Sequence, residues 1–460
     1  MEAGTMVDRG DNKSAVSRQE LVNGPANLAG RARHAAEGPP LWLDVSRLLW
    51  RVFRGTLTGV DRVELAYAEH LLVEAAPRLR FVAFDYRGGF GLLPQDRTAA
   101  LVRAVGPAWE AGTLGRLKRR ALALFAASLA NPHGLPRAAA GSPRPVYLNV
   151  SHHPLAHTAA VARMLARSGA AFLPLVHDLI PLEYPEYVCP EETRRHHRRM
   201  ATIAGLADAV IANSAATAAA LRPLLPSGLP LLAAPLGVAP RRAARLPTAL
   251  ADGTPFFLCL GTIEPRKNHL LLLQLWRQMA AAAAPGDPPL PKLVIVGNRG
   301  WDNEQVLDLL ERSARLRPHV LELGRVSDGV VAGLMAEARA LLMPSFAEGF
   351  GLPVAEALAC GAPVLCSDIP AHREIGGAVA EYLDPLDAPA WAAAVLAYAA
   401  PGSARRAAQL RRLAGWEAPG WPAHIDAVLG FIASVTGPAR PALPARRAPL
   451  LAPVELAKVA

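Results

Sequence analysis

Pro344-Ser345-Phe346-Ala347-Glu348-Gly349-Phe350-Gly351-Leu352-Pro353-Val354-Ala355-Glu356-Ala357-Leu358-Ala359-Cys360-Gly361-Ala362-Pro363-Val364 reads as the end of a strand, a glycine-rich turn and a short helix. Pro353 suits the first helical position, where its missing N–H is no loss, and Gly361 suits the C-terminal cap, giving a helix of about two turns. The amino end of that helix must face the loop containing Glu348. The N–H groups of Gly349, Phe350, Gly351 and Leu352 are expected to be free there. With the partial positive charge of the macrodipole they make a seat for an anion, and a diphosphate fits it. Glu348 lies before the helix and Glu356 is expected in its first turn. Ionised carboxylates are pure acceptors, so the two can take hydroxyls from different parts of one extended ligand. An acid in a first turn can also serve only to oppose the dipole, and that alternative stays open for Glu356.

Short apolar runs alternate with amphipathic segments on the amino side of this stretch from Leu41 onward, the pattern of doubly wound α/β domains. Strands are expected at 41–45, 81–86, 146–150, 172–177 and 209–212, with helices over 60–73, 157–168, 191–206 and 215–225. The segment 88–145 interrupts this rhythm, and its part 114–129 is expected to cover one face of a cleft. After a turn at Pro235-Leu236-Gly237-Val238 a second series begins, with strands at 256–260, 293–296, 320–323, 340–343 and 363–366 and helices after Asn268, Asp302, Asp328 and Pro353. A chain of 460 residues exceeds the ~250–300 that a single core sustains. The expected division is a disordered segment 1–39, a first domain 40–237, a linker 238–254, a second domain 255–415, a helical segment 416–436 crossing back to the first domain, and a disordered tail 437–460. Two facing sheets of this kind bind ligands between them, at the carboxyl ends of their strands.

Two glutamates separated by seven residues, within Phe-Ala-Glu-Gly-Phe-Gly-Leu-Pro and Glu-Ala, resemble the retaining glycosyltransferases of the glycogen-synthase and bacterial mannosyltransferase type. The similarity runs from about Trp42 to Phe431, with the closest match between Phe256 and Asp384. It implies the GT-B architecture, two Rossmann-like doubly wound domains facing a central cleft. By the resemblance Glu348 contacts the donor sugar near the reacting centre and Glu356 holds the ribose, with Gly349, Phe350, Gly351 and Leu352 around the diphosphate.

Other constellations join that site. Phe256 to His269 forms a strand, a turn at Gly261 and Thr262, and a helix capped by Asn268. Arg266 and Lys267 in this turn can neutralise the charge on a departing diphosphate, and similar pairs clamp phosphates in the family. Many relatives carry an arginine directly after the glycine, whereas Thr262 stands here. Two solvated charges at a helix start are the alternative reading, disfavoured because cations there oppose the dipole. In the first domain Leu173 to Pro181 is a strand ending in His177-Asp178. His177 resembles the family histidine that bonds the donor sugar, and Asp178 is placed to orient the ring or meet the acceptor. Gly59, in Leu57-Thr58-Gly59-Val60-Asp61-Arg62-Val63-Glu64, is expected between the first strand and first helix, where by the resemblance the backbone comes close to the donor phosphate or acceptor; an ordinary turn glycine is its alternative. Arg325 and Val326, in the turn after 320–323, resemble the segment around the nucleotide base.

Composition bounds the function without choosing it. Hydrophobic residues at 52% and charged residues at 19% fit packed cores. The net charge of +10 permits anionic partners, but aromatics at 6%, not interleaved with the basic residues, argue against nucleic acid. Cys189, Cys259, Cys360 and Cys366 lack metal-finger spacing, lie in or beside apolar segments and read as reduced, buried thiols. His152-His153 and His196-His197 are adjacent pairs without an Asp-x-Asp site, so no metal is expected, and no G-x-G-x-x-G supports a nicotinamide cofactor. The expectation is therefore a metal-independent hexosyltransferase without a cofactor, using a nucleotide-diphosphate sugar, first of all GDP-mannose, on a glycan or lipid-linked acceptor in cell-surface polysaccharide biosynthesis. The alternatives are a related epimerase or phosphorylase and a noncatalytic nucleotide-sugar-binding subunit. A cytoplasmic location is expected, with peripheral contact at the inner membrane through basic residues 116–120 and an apolar face of Leu117, Leu124 and Phe125, or else with that helix packed as scaffold.

Overall fold

The computed structural model describes residues 38–436 apart from 56, 86, 130–134, 138–141, 240, 241 and 287. Residues 1–37 of the segment 1–39 expected to be disordered, the expected disordered tail 437–460, and Pro240-Arg241 of the expected linker lie outside the described residues.

The first sheet comprises β1 (Leu41–Asp44), β2 (Leu79–Phe84), β3 (Phe90–Leu92), β4 (Val146–Asn149), β5 (Ala171–Val176), β6 (Val210–Ala212) and β7 (Leu231–Ala233), in the order β3-β2-β1-β4-β5-β6-β7. All its pairs are parallel except β2 with β3. The second sheet comprises β8 (Phe256–Leu260), β9 (Lys292–Val296), β10 (Val320–Gly324), β11 (Leu341–Met343), β12 (Val364–Ser367) and β13 (Glu381–Leu383), in the order β10-β9-β8-β11-β12-β13 and parallel throughout. The central strands LWLD, VYLN and AFLPLV are buried at every position. Helices cover both faces of such a strand, which is why these runs show no alternation.

One buried apolar cluster takes in residues of both sheets, from Leu41 and Leu148 to Leu258 and Met343. The helix Trp421–Val435 helps to join them, because it packs on the first-domain helix Gly59–Glu74, where Tyr67 Oη and His424 Nε2 lie 2.6 Å apart. Val238 N–H donates to Pro419 C=O at 2.8 Å, so the chain entering the second domain and the chain leaving it run side by side.

Several expectations need correction. Of the cysteines expected to be buried, Cys259 and Cys366 are, but Cys189 is exposed and Cys360 only half-buried. β3, β7 and β13 are each three residues long, too short for a period to show, and β7 is half-exposed. A helix, Ser46–Arg54, follows β1 directly. Gly59 is therefore the first residue of the second helix rather than a turn between the first strand and first helix. That second helix begins there because Asp61 accepts from both Thr58 N–H and Thr58 Oγ and is held by Arg51 at 3.1 Å. The segment 88–145 is not an interruption, since it contains β3 and the helix Gln95–Glu110. The helix Lys118–Leu129 packs on Ser46–Arg54 and on β2 and β3. Leu117, Ala121 and Leu124 are buried there and Phe125 stacks on Phe53, so the apolar face expected to dock on lipid faces inward. No helix among the described residues is long and apolar enough to cross a membrane.

Candidate donor-binding site between the domains

β8 ends at Leu260, and the chain turns through Gly261 and Thr262 into the single turn Pro265–Lys267. β11 ends at Met343, and the loop to the helix Leu352–Ala359 runs alongside, tied by Phe346 N–H to Arg266 C=O at 2.9 Å and by Arg266 Nη1 to Ala347 C=O at 2.7 Å. These ties bring Arg266 and Lys267 together with Glu348, which lies 81 residues beyond Lys267 in sequence. Lys267 Nζ lies 2.5 Å from Glu348 Oε1 and Arg266 Nη1 2.8 Å from Glu348 Oε2. Arg266 also meets Glu264 Oε1 at 2.6 Å. Burial works against the charged form of Glu348, but Arg266 and Lys267 outweigh it and hold the carboxyl well below the usual range. The same pairing keeps Arg266 firmly charged despite its burial.

The first domain closes this site from the opposite side. Gly349 packs on the peptide between His177 and Asp178 so closely that a Cβ would lie 2.2 Å from the His177 carbonyl oxygen, and glycine is required. Ser214 Oγ and Thr217 Oγ1 donate to Gly349 C=O at 2.8 and 3.0 Å. Gly351 has φ +86, in the left-handed region, and turns the chain into the helix. The N–H groups of Gly349, Phe350 and Gly351 have no partner among the described residues, and they cluster beside Glu348 at the positive end of the helix. Asp178 follows His177 on this wall, its carboxyl raised by burial against the opposing influence of Arg266 and His177.

The structure places the other expected residues unevenly. His177 is buried, and its Nε2 lies 2.7 Å from Val150 C=O, so that nitrogen is committed to the first domain's own backbone. Thr262 packs against Gly300 of the neighbouring loop. Glu356 lies in the second turn of its helix, not the first, because the helix starts at Leu352. Opposition to the dipole therefore explains it poorly. Its Oε1 faces Arg62 Nη1 of the first domain at 3.5 Å, and Arg62 also pairs with Asp328. Gly59 lies on the same helix as Arg62, and a Cβ there would meet Leu352 at an ordinary 3.7 Å, so contact with that residue does not demand glycine. Arg325 spans the domains, with its guanidinium 3.7 Å from the Trp109 ring centroid and Nη1 donating to Gly55 C=O at 2.9 Å; Val326 packs half-buried on the main core. Asn268 precedes its helix in a left-handed conformation, but its amide donates to Pro385 C=O and does not cap.

Two residues escaped the sequence reading. Arg62 lay within a quoted motif but gave no signal that it would reach across to Asp328 and Glu356. His372 is buried beneath Gly351, with Nδ1 held by Ser367 C=O at 3.0 Å and Nε2 without a partner among the described residues. Burial lowers its pKa, against the pull of nearby Glu348, so a neutral imidazole backs the loop.

Residues 241–395 match the family model of the glycosyl transferases group 1. The chain is 38% identical over 159 residues to the O-antigen chain mannosyltransferase B of Escherichia coli, covering 35% of this chain and 40% of that one. It is 31% identical over 231 residues to the serotype-specific mannosyltransferase WbdA of Escherichia coli, covering 45% of this chain and 27% of that one. The matched region thus spans less than half the length of these relatives. Among solved structures, Anabaena Alr3699/HepE in complex with UDP and glucose superposes with a TM-score of 0.57 at 17% identity, over 86% of this chain and 99% of that one. That likeness shows the GT-B fold.

Proposed function

We propose that the chain transfers a hexose from a nucleotide-diphosphate sugar to a glycan or lipid-linked acceptor, with retention of configuration and without a metal; the match of residues 241–395 to the glycosyl transferases group 1 supports this reading. The observation that carries this reading is the pairing of Glu348 with Arg266 and Lys267, at 2.8 and 2.5 Å, beside unpartnered N–H groups at the amino end of the helix Leu352–Ala359. As the bond from the sugar to the diphosphate breaks, its electron pair leaves with the diphosphate. The two cations and the N–H groups meet that growing negative charge, in a partly buried site where such contacts are strengthened. Glu348 faces the sugar, where positive charge develops, and Glu356 takes the ribose hydroxyls. Mannose carried by GDP is the first choice of donor, since the named functions of the two matched relatives are mannosyl transfer.

The test is release of nucleoside diphosphate from GDP-mannose, UDP-glucose and related donors, with and without an extracted acceptor pool and with a chelator present. Acceptor-dependent release from one donor, insensitive to the chelator, is expected. Release of an altered free sugar without acceptor would mark an epimerase, binding without turnover a noncatalytic subunit, and complete metal-reversible loss a metal-dependent enzyme.

A further inference from the structure

The cleft rim carries a set of aromatic side chains that the donor site does not use. Tyr184 and Tyr187 follow His177-Asp178 in the first domain, Phe346 stands two residues before Glu348, and Trp301 projects from the loop after β9. Tyr187 stacks on Phe346 across the domains at 5.7 Å between centroids and 9° between planes, and Tyr184 stacks on Tyr187 at 5.9 Å and 24°. Trp301 Nε1 donates to Tyr187 C=O at 2.9 Å, fixing the indole beside the pair. Carbon atoms in contact lie ~3.5–4.0 Å apart, so rings this far apart at such small angles are laterally offset, and Tyr187 and Phe346 are each half-buried. Tyr184 is 38% and Trp301 44% exposed. Together with Trp50, these are the exposed aromatics among the described residues, so two of the three sit here.

The ladder is continuous with the reacting centre. Phe346 N–H is bonded to Arg266 C=O, and the loop bearing Trp301 is pinned to the turn after β8 by Gly300 N–H to Ile263 C=O at 2.9 Å. Exposed carboxylates of Glu183 and Glu186 flank the tyrosines. Open ring faces beside acceptor groups match a pyranose, whose C–H face is apolar and whose hydroxyls lie around its edge. A nucleic acid fits less well, because those carboxylates would repel its phosphates.

Resting on the transferase reading above, we propose that Tyr184, Tyr187, Phe346 and Trp301 form a binding site for an acceptor oligosaccharide, holding sugar units beyond the one that receives the hexose. Each unit stacks along the staircase, so the site favours a growing glycan over a monosaccharide and guides its end toward Glu348.

Calorimetric titration of the full chain with mannotetraose and maltotetraose, each beside its methyl glycoside, tests this. At least one tetrasaccharide is expected to bind about tenfold or more tighter than its methyl glycoside. Tyr184→Ala with Trp301→Ala should remove most of that preference, while Tyr184→Phe with Trp301→Phe should keep it. Equal affinity for long and short sugars in the unaltered chain, or a preference that survives the double alanine replacement, overturns the proposal. GDP and UDP titrated in parallel separate the two readings. Nucleotide binding without a preference for the longer glycan sinks the ladder alone, and that preference without nucleotide binding sinks the transferase reading alone.

Discussion

Glu348→Gln is expected to lower turnover by about 10² to 10³, the range seen when one electrostatic contact to a transition state is removed, while the donor's dissociation constant changes far less. The replacement keeps the shape of a buried side chain and removes only its charge. That charge is maintained against burial by Arg266 and Lys267. On the proposed reading the donor's diphosphate competes for the same two cations. Loss of Glu348's charge therefore frees them, and donor binding should hold or tighten while the developing positive charge on the sugar loses its partner. Single-turnover rates with donor titrations check both halves. Equal turnover in the two proteins would remove Glu348 from the reaction.

Arg266→Ala combined with Lys267→Ala should cripple transfer and also weaken nucleoside-diphosphate binding by at least about tenfold, because a fixed diphosphate charge loses both cationic partners. Without the cations Glu348 is a buried carboxylate with no compensation, a state that costs about 3–5 kcal/mol when one side of a buried pair is removed. The protein should respond by protonating Glu348 or by melting earlier. Adding Glu348→Gln to the double variant should recover thermal stability but not activity. Persistence of diphosphate affinity in the double variant would show that these cations serve Glu348 alone.

Much of this architecture was legible because parallel strands buried on both faces appear as uninterrupted apolar runs, and because glycine and proline punctuate the turn before Leu352–Ala359. The nearness of Arg266 and Lys267 to Glu348 was legible only as two motifs sharing one cleft. Their direct pairing depends on the Phe346 and Arg266 backbone ties, which have no sequence signature. Edge strands such as β7 were missed because three half-exposed residues carry no period. Glu356 was placed a turn too early because the helix begins at Leu352, one residue before the proline taken as its start. Arg62 and His372 were invisible for a different reason. An arginine on an amphipathic helix and a histidine after a strand look like ordinary surface and core residues until the opposite domain or the Gly351 turn is in place.

The central claim is transfer of a sugar with its anomeric configuration kept, driven by the site around Glu348. NMR of the product formed from an α-linked nucleotide hexose tests it most directly, through the one-bond C1–H1 coupling of the newly attached sugar recorded while nucleoside diphosphate is released. An α-linkage that forms only when donor and acceptor are both present, and is lost with Glu348→Gln, is the predicted result. A β-linkage, or an α-linked product made equally well by the Glu348→Gln protein, would contradict the account.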